Sequence, residues 1–421
     1  MSRNNVDLPF ARPCIGTAEE EAVLRVLRSG WLTTGGEALA FEKEFTEFLE
    51  GPHGPPSGYN PLRSLTVNSA TSGLHLALEA CGVRAGDLVL VPAYTFVSTA
   101  EVVRYLGAEV VFVDIAPGTF HIDPHALEAC LARLVRGDCA YPQRDAPGGF
   151  GPQGAPKAVI PVHYGGLPCD MDAIMDIARR YGLKVIEDAA HAFPSQLRAG
   201  SWAGTIGDVG VFSFYATKTI TTGEGGMVVS RDKEIIDRIA LMRSHGIDRS
   251  VWNRYTDTKA SWYYEVVAAG YKYNLPDILA ALGRVQLARA GELLEMRKQI
   301  AAAYDAAFQD VACFSLPPTG PGDARHLYPL QLNLKGLSLS RDAFIEKIQA
   351  AGIGVSVHFI PLHSMPYYQN RYHLTAGDFP ESMQRFQRII SLPIWAGMQR
   401  DQVERVIRVV KTIAGNYRIN P

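Results

Sequence analysis

The feature that most constrains this chain is a rhythm. Between about residues 64 and 230, short apolar runs alternate with amphipathic helical stretches. SLTVNSA reads as a strand and SGLHLALEACGV as a helix with Leu74, Leu78 and Cys81 on one face. DLVLVP is strand, FVSTAEVVRYLG helix, AEVVFVD strand and HALEACLARLV helix. After a break come the strand AVIPVHY, the helix DMDAIMDIARRYG and the strands KVIEDAA, DVGVFSFY and GGMVVS. Strands that are apolar throughout are buried on both faces, so the pattern predicts an α/β fold with a mostly parallel sheet between helical layers. Open sheets of this kind bind ligands beyond the carboxyl ends of their strands.

The flanks differ. Residues 17–29 predict a helix with Thr17 as N-cap, Glu20 completing a capping box and Gly30 as the stop. Residues 51–63 and 136–157 are excursions rich in Gly and Pro. The second contains Gly149-Phe150-Gly151-Pro152-Gln153-Gly154, which has dinucleotide-fingerprint spacing but no preceding strand, and prolines where a helix should start. Near residue 275 the character changes. A long helical stretch, 276–308, leads to the strand HLYPLQLNL, a helix capped by Ser340, the strand GVSVHFIP and a last helix, DQVERVIRVVKTIAG. The expected division is therefore 1–275, a large α/β unit with an N-terminal arm, and 276–421, a smaller α+β unit.

Composition narrows the function. Lys plus Arg is 41 and Asp plus Glu is 43, a formal charge of −2. That balance argues against nucleic acid or an anionic membrane as partner. The six cysteines never form C-x-x-C, and no apolar run approaches the roughly 20 residues of a membrane helix. With no secretory leader pattern at the N-terminus, a cytoplasmic protein without a disulfide framework is expected.

Several predicted strand ends carry chemistry-bearing side chains. Ser69-Ala70-Thr71-Ser72-Gly73 joins a strand to a helix, which suits either a plain N-cap or a phosphate. Tyr94-Thr95-Phe96 follows the strand ending at Pro92, where an aromatic either packs in the core or stacks on a flat ligand. KVIEDAAH brings Glu187, Asp188 and His191 to a strand end; no further His, Asp or Glu cluster supports a metal there. Lys218 stands between an apolar strand and a Gly-rich turn, as an exposed charge or a Schiff-base lysine. In order, a phosphate turn, an aromatic, an acid and a lysine form the set that pyridoxal phosphate requires.

With those residues in view, the chain resembles the DegT/DnrJ/EryC1/StrS family of sugar aminotransferases, pyridoxal-phosphate enzymes of fold type I. The resemblance is carried by SGWLTTGG (29–36), NSATSGLHLAL (68–78), VPAYTFVSTAEVV (91–103), IPVHYGGLPCDMDAI (160–174) and VIEDAAHAF (185–193). It continues through FSFYATKTITTGEGGMVV (212–229), GYKYNLPDILAALGRVQL (270–287) and VHFIPLH (357–363). It implies a three-layer α/β/α fold and a homodimer with shared active sites. Lys218 would carry the cofactor, Asp188 would pair with its ring nitrogen, Phe96 would stack on the ring and His191 would lie beside it. Thr71, Ser72 and Ser213 would hold the phosphate, and Asn274 would reach the phosphate in the neighbouring subunit. Trp31, Tyr94, His163, Tyr164, His245, His358 and His363 lie in matching segments as candidates for sugar contact; packing is an equal reading of each.

The implied reaction moves an amino group, from L-glutamate by family analogy, to a keto group of a nucleotide-diphosphate-linked sugar, with C4 favoured by the YKYN form at 271–274. A 3-keto sugar or keto-cyclitol is the nearest alternative. A dehydratase is disfavoured by Lys218, and a desulfurase by the lack of a signature around Cys313 or Cys169. A silent ligand-binding scaffold would keep the fold without the chemistry.

Overall fold

The computed structural model describes residues 7–51, 54–55, 58–137, 154–198, 201–248 and 263–419. Most of the 136–157 excursion, including Gly149 to Gln153 of its glycine motif, lies outside the described residues. Strands β1 (Arg63–Val67), β2 (Leu88–Pro92), β3 (Glu109–Val113), β4 (Pro156–Val159) and β5 (Lys184–Asp188) belong to one sheet. β6 (Gln196–Arg198) and β7 (Ser201–Trp202) make a small hairpin, and β8 (Val209–Ser213) and β9 (Gly226–Ser230) return to the main sheet. Its seven strands run in the order β1-β9-β8-β5-β4-β2-β3. The pairs from β3 to β8 are parallel, and β9 is antiparallel to both its neighbours. That exception follows from the connection. β8 and β9 are joined by residues 214–225, which contain no crossover helix and fold back on themselves through the Phe214–Gly225 bond, giving the antiparallel sense.

Helices α1 (Thr17–Ser29), α2 (Gly36–Glu50), α3 (Ala70–Ala80), α4 (Ser98–Tyr105), α5 (Pro124–Val135), α6 (Met171–Tyr181) and α7 (Lys233–Met242) cover the sheet. Alternate strand residues face opposite layers. Val89, Val91 and Val211 pack with Leu74 and Leu78 of α3, while Leu90, Val159 and Val185 pack with Leu127 of α5 and Ile174 of α6. Each such side chain contributes about 1.5–3 kcal/mol by leaving water. α3 sits close on the sheet because residue 73 is glycine; a Cβ there would stand 2.8 Å from a Val211 methyl. That approach fixes where the helix N-terminus points.

The second unit contains α8 (Asp277–Ala288), α9 (Ala290–Phe308), β10 (Phe314–Ser315), β11 (Tyr328–Leu332), α10 (Arg341–Ala350), α11 (Pro366–Tyr372), α12 (Pro380–Phe386), β12 (Ile389–Leu392) and α13 (Arg400–Asn416). Its core joins Tyr304 and Phe308 of α9 to Leu330, Phe344, Ile390, Val406 and Val410.

Three local expectations are corrected. The cap of α1 is Gly16, whose N–H donates to Glu19 at 2.9 Å, rather than Thr17 with Glu20; Gly30 does end the helix, at φ 75°. The stretch 276–308 is two helices, broken at Arg289 (φ −97°, ψ 3°). GVSVHFIP is not a strand: it makes one bridge, Ser356 to Ser391, before its carbonyls turn to side-chain donors. α2, α7 and β12 were not anticipated. The first residue of α8 explains how α2 begins: Asp277 accepts from the N–H groups of Gly35 (2.7 Å), Ala38 (3.0 Å) and Glu37 (3.2 Å).

Candidate active site

A cavity of about 430 Å³ opens beyond the carboxyl ends of β2, β5 and β8. Lys218 enters it from the turn after β8. That turn is braced across its width: Phe214 N–H donates to Gly225 C=O (2.9 Å), Thr222 N–H to Phe214 C=O (2.9 Å) and Lys218 N–H to Tyr215 C=O (2.9 Å). The amine is therefore aimed by backbone bonds. Burial lowers its pKa to about 8, with Asp188 opposing and Arg297 assisting. A fraction of this lysine is thus a free amine near neutral pH, as a nucleophile or general base requires.

Asp188 ends β5, beside the Val211 position of β8. Its carboxylate accepts from the Thr99 hydroxyl (2.9 Å) and the Ala190 N–H (3.1 Å). Burial raises its pKa, against the pull of Thr99, Ala190 and Lys218. A cationic N–H donor in the cavity would complete this buried acid. His191 is held as a neutral ring: burial, then the charges of Lys218 and His358, push its pKa well down. Its Nδ1 accepts from the Gly165 N–H at 3.2 Å, which leaves the hydrogen on Nε2.

The cavity is also lined by Ser69, Ala70 and Thr71 at the start of α3, and by Ser213, Thr217 and Gly225. Ser69 caps the helix by accepting from Ser72 N–H (3.1 Å), and the Ser72 hydroxyl turns back to Ser69 C=O (2.8 Å). Ser72 is therefore occupied locally and does not line the cavity. Gly226 lets β9 approach the start of α3; a Cβ there would lie 2.9 Å from Ala70 N. Phe96 is 53% exposed within the cavity, whereas Tyr94 is fully buried. A helix N-terminus flanked by serine and threonine, an open aromatic face, a buried acid and a lysine of lowered pKa thus share one space.

Thr71, Phe96, Asp188, His191, Ser213, Lys218 and His358 are brought together there. The remaining candidates are not. Tyr94 and Tyr164 stand behind the cavity, and both hydroxyls donate to the His358 carbonyl, the former at 2.9 Å. His163 is fully buried against Glu187 (2.9 Å), and its Nδ1 accepts from Cys169 N–H (3.0 Å). Glu187 in turn takes the N–H groups of Gly204, Ile206 and Gly207, so this neighbour of Asp188 braces the β6–β8 connection. His363 is buried against Phe379. His245 is exposed and Trp31 packs on Gly35, both away from the cavity. Asn274 lies outside its own chain's cavity, donating to the Thr34 hydroxyl at 2.6 Å. Sequence reasoning missed Phe10, Thr99, His326, Phe359 and Ile394. Among these only Thr99 and Phe359 fell within segments singled out for chemistry, at positions four residues from Thr95 and next to His358.

Among the described residues, no group of three or more His, Cys, Asp or Glu side chains is arranged to hold a metal. Likewise no helix among them is long and apolar enough to cross a membrane.

The model of the DegT/DnrJ/EryC1/StrS aminotransferase family matches residues 13–411. Spore coat polysaccharide biosynthesis protein SpsC of Bacillus subtilis is 40% identical over 417 residues, 98% of each chain. Among solved structures, the PLP-form of the putative sugar aminotransferase Spr1654 from Streptococcus pneumoniae superposes with a TM-score of 0.80 at 29% identity, covering 97% of this chain and 99% of that one. Helicobacter pylori PseC, an aminotransferase involved in the biosynthesis of pseudoaminic acid, gives a TM-score of 0.82 at 27% identity, covering 97% of this chain and 100% of that one.

Proposed function

The chain belongs to the DegT/DnrJ/EryC1/StrS aminotransferase family, and with the pyridoxal phosphate and sugar amino transfer that membership brings, we propose that L-glutamate is its amino donor and the C4 keto group of a nucleotide-diphosphate-linked sugar its acceptor. The observation that carries the site assignment is that Asp188, at the end of β5, and Lys218, in the turn after the adjacent parallel strand β8, face one cavity that the start of α3 also lines. The cavity fits the cofactor on its own terms. The start of α3 packs so closely on Gly226 that no side chain fits between them, the buried Asp188 carboxylate accepts only from neutral donors, Thr99 and Ala190, among the described residues, and Phe96 offers an open face.

When bound, pyridoxal phosphate supplies an electron sink, which a protonated ring nitrogen strengthens. Asp188, oriented by Thr99 and Ala190, keeps that nitrogen protonated. Thr71, Ser213 and the free N–H groups opening α3 hold the phosphate, with Ser72 shaping the turn. Phe96 covers the ring, and neutral His191 offers its Nε2–H. Lys218 Nζ takes the proton from the donor's α-carbon and returns it as general acid. His358 faces the sugar; Tyr94, Tyr164 and His163 act from behind. The large unit, 1–275, carries the cofactor, and 276–421 closes the cavity.

The same reading makes the protein a cytoplasmic homodimer. Leu24, Leu27, Leu32 and Leu39 are each more than 40% exposed on or beside α1 and α2, an apolar surface suited to a second copy. Asn274 would then reach the partner's cofactor phosphate.

The deciding experiment is an absorbance spectrum of the purified holoenzyme before and after L-glutamate. A band near about 420 nm moving to about 330 nm is expected for amino transfer to the cofactor. A band that ignores glutamate removes the donor, and no band after reconstitution favours a silent scaffold. Amination of a nucleotide 4-keto sugar, with 3-keto sugars and keto-cyclitols as competitors, then tests the C4 assignment.

A further inference from the structure

Arg297, on α9, is 2% exposed. A buried guanidinium is ordinarily matched by a carboxylate, because an unpaired charge is costly to desolvate. Here no carboxylate contributes among the described residues; burial alone lowers its pKa, to about 10, and its Nε has no hydrogen-bond partner. Its donors go to three carbonyls. Nη1 donates to His326 C=O (3.2 Å) and Ile394 C=O (3.0 Å), and Nη2 to Thr217 C=O (3.3 Å).

Those carbonyls are not arbitrary. Thr217, His326 and Ile394 all line the cavity, and Thr217 immediately precedes Lys218. One planar fork therefore ties the lysine turn to two segments of the smaller unit. Carbonyls orient a guanidinium without neutralising it, so a positive charge stays behind the amine. A core chosen for stability alone would place an apolar side chain here.

We propose that Arg297 is a positioning residue for amino transfer, a buried fork that locks the Lys218 turn against the His326 and Ile394 walls and keeps an uncompensated positive charge behind the amine. This rests on Lys218 being the reacting amine. Both functions favour a free amine: the fork limits where Nζ can stand, and the charge disfavours its protonation. The depressed pKa of Lys218, to which Arg297 contributes, agrees with this.

The test reads the amine directly. Cofactor-free protein is labelled with acetic anhydride across a pH series, and modification of Lys218 is followed by mass spectrometry. In Arg297→Met the titration should move upward, leaving about tenfold less free amine at neutral pH. Arg297→Lys keeps the charge but not the planar fork. Its Lys218 titration should stay near the wild-type position while holoenzyme turnover falls about tenfold and KM changes little. A folded Arg297→Met protein with wild-type labelling and a wild-type pH–rate profile overturns the proposal. If Arg297→Met does not fold, wild-type turnover of Arg297→Lys overturns it. Lys218→Ala with normal turnover would instead refute the reading of Lys218 itself, a failure the labelling result does not share.

Discussion

The two walls of the cavity are built by different means. The wall proposed to hold the cofactor hangs on strand ends: Asp188 finishes β5, Lys218 follows β8 and Ser69 to Thr71 open α3, so sheet hydrogen bonds set its geometry. The facing wall is irregular backbone from 324–327, 357–360 and 394, held by side chains reaching from elsewhere. Tyr94 and Tyr164 grip the His358 carbonyl, Ser391 meets the His358 ring at 2.9 Å, and Arg297 ties His326 and Ile394. The first wall is specified by the fold, the second by individual side chains. Chemistry common to a family can sit on the first while the second varies with the acceptor.

The comparison predicts where variants hurt most. Lys218→Ala should lower amino transfer at least about 10³-fold, measured as turnover with glutamate and a keto sugar, because one group supplies both base and acid. Asp188→Asn should cost about 10²-fold or more while the cofactor stays bound, read by turnover and by the retained visible spectrum. On the other wall, Tyr94→Phe and Tyr164→Phe should each cost only about 1 kcal/mol of stability. Their kinetic effect should fall on KM for the sugar, with kcat for the glutamate half nearly unchanged. A loss of glutamate-half kcat as large as that of Asp188→Asn would break the distinction between the walls.

Lys218 also gives the cofactor wall a pH signature. Its folded pKa, about 8, lies below its ordinary 10.5, so the unfolded chain binds more protons between those values. Stability of the cofactor-free protein should therefore rise with pH through that window. Lys218→Met, lacking this cost, should melt later than wild type below pH 8, by on the order of 1–3 kcal/mol, and the advantage should vanish above the window. Thermal melts across pH check both signs. The smallest effect belongs to His245→Ala, an exposed site away from both walls, which should leave turnover within about twofold.

The same division explains what could be read from sequence. Asp188 and Lys218 were legible because strand period and strand ends are sequence-local. So were Thr71 and Ser213, although Ser72 spends its hydroxyl on Ser69. The second wall was not. GVSVHFIP alternates like a strand, yet the His358 carbonyl is taken by two tyrosine hydroxyls, so no ladder can continue there. Nothing local marks His326 or Ile394 as neighbours of residue 217, since the side chain joining them is 80 residues from Thr217. The segments around Tyr94, His163 and Tyr164 were found, but not which way the side chains turn.

The cap of α2 has a consequence for how the protein is made. Gly35 and Asp277 are separated by 242 positions, and a ribosome delivers the first long before the second. At about 5–20 residues per second, α2 waits some 10–50 s for the carboxylate that closes its first turn. Over that interval Phe41 also lacks α8, whose Gly283 approaches so closely that a Cβ would sit 2.6 Å from the ring. The emerging chain thus presents an amphipathic helix, uncapped and with its apolar face partly uncovered, until Asp277 has been synthesised. In the cell, its yield should depend on whatever shields nascent chains during that delay.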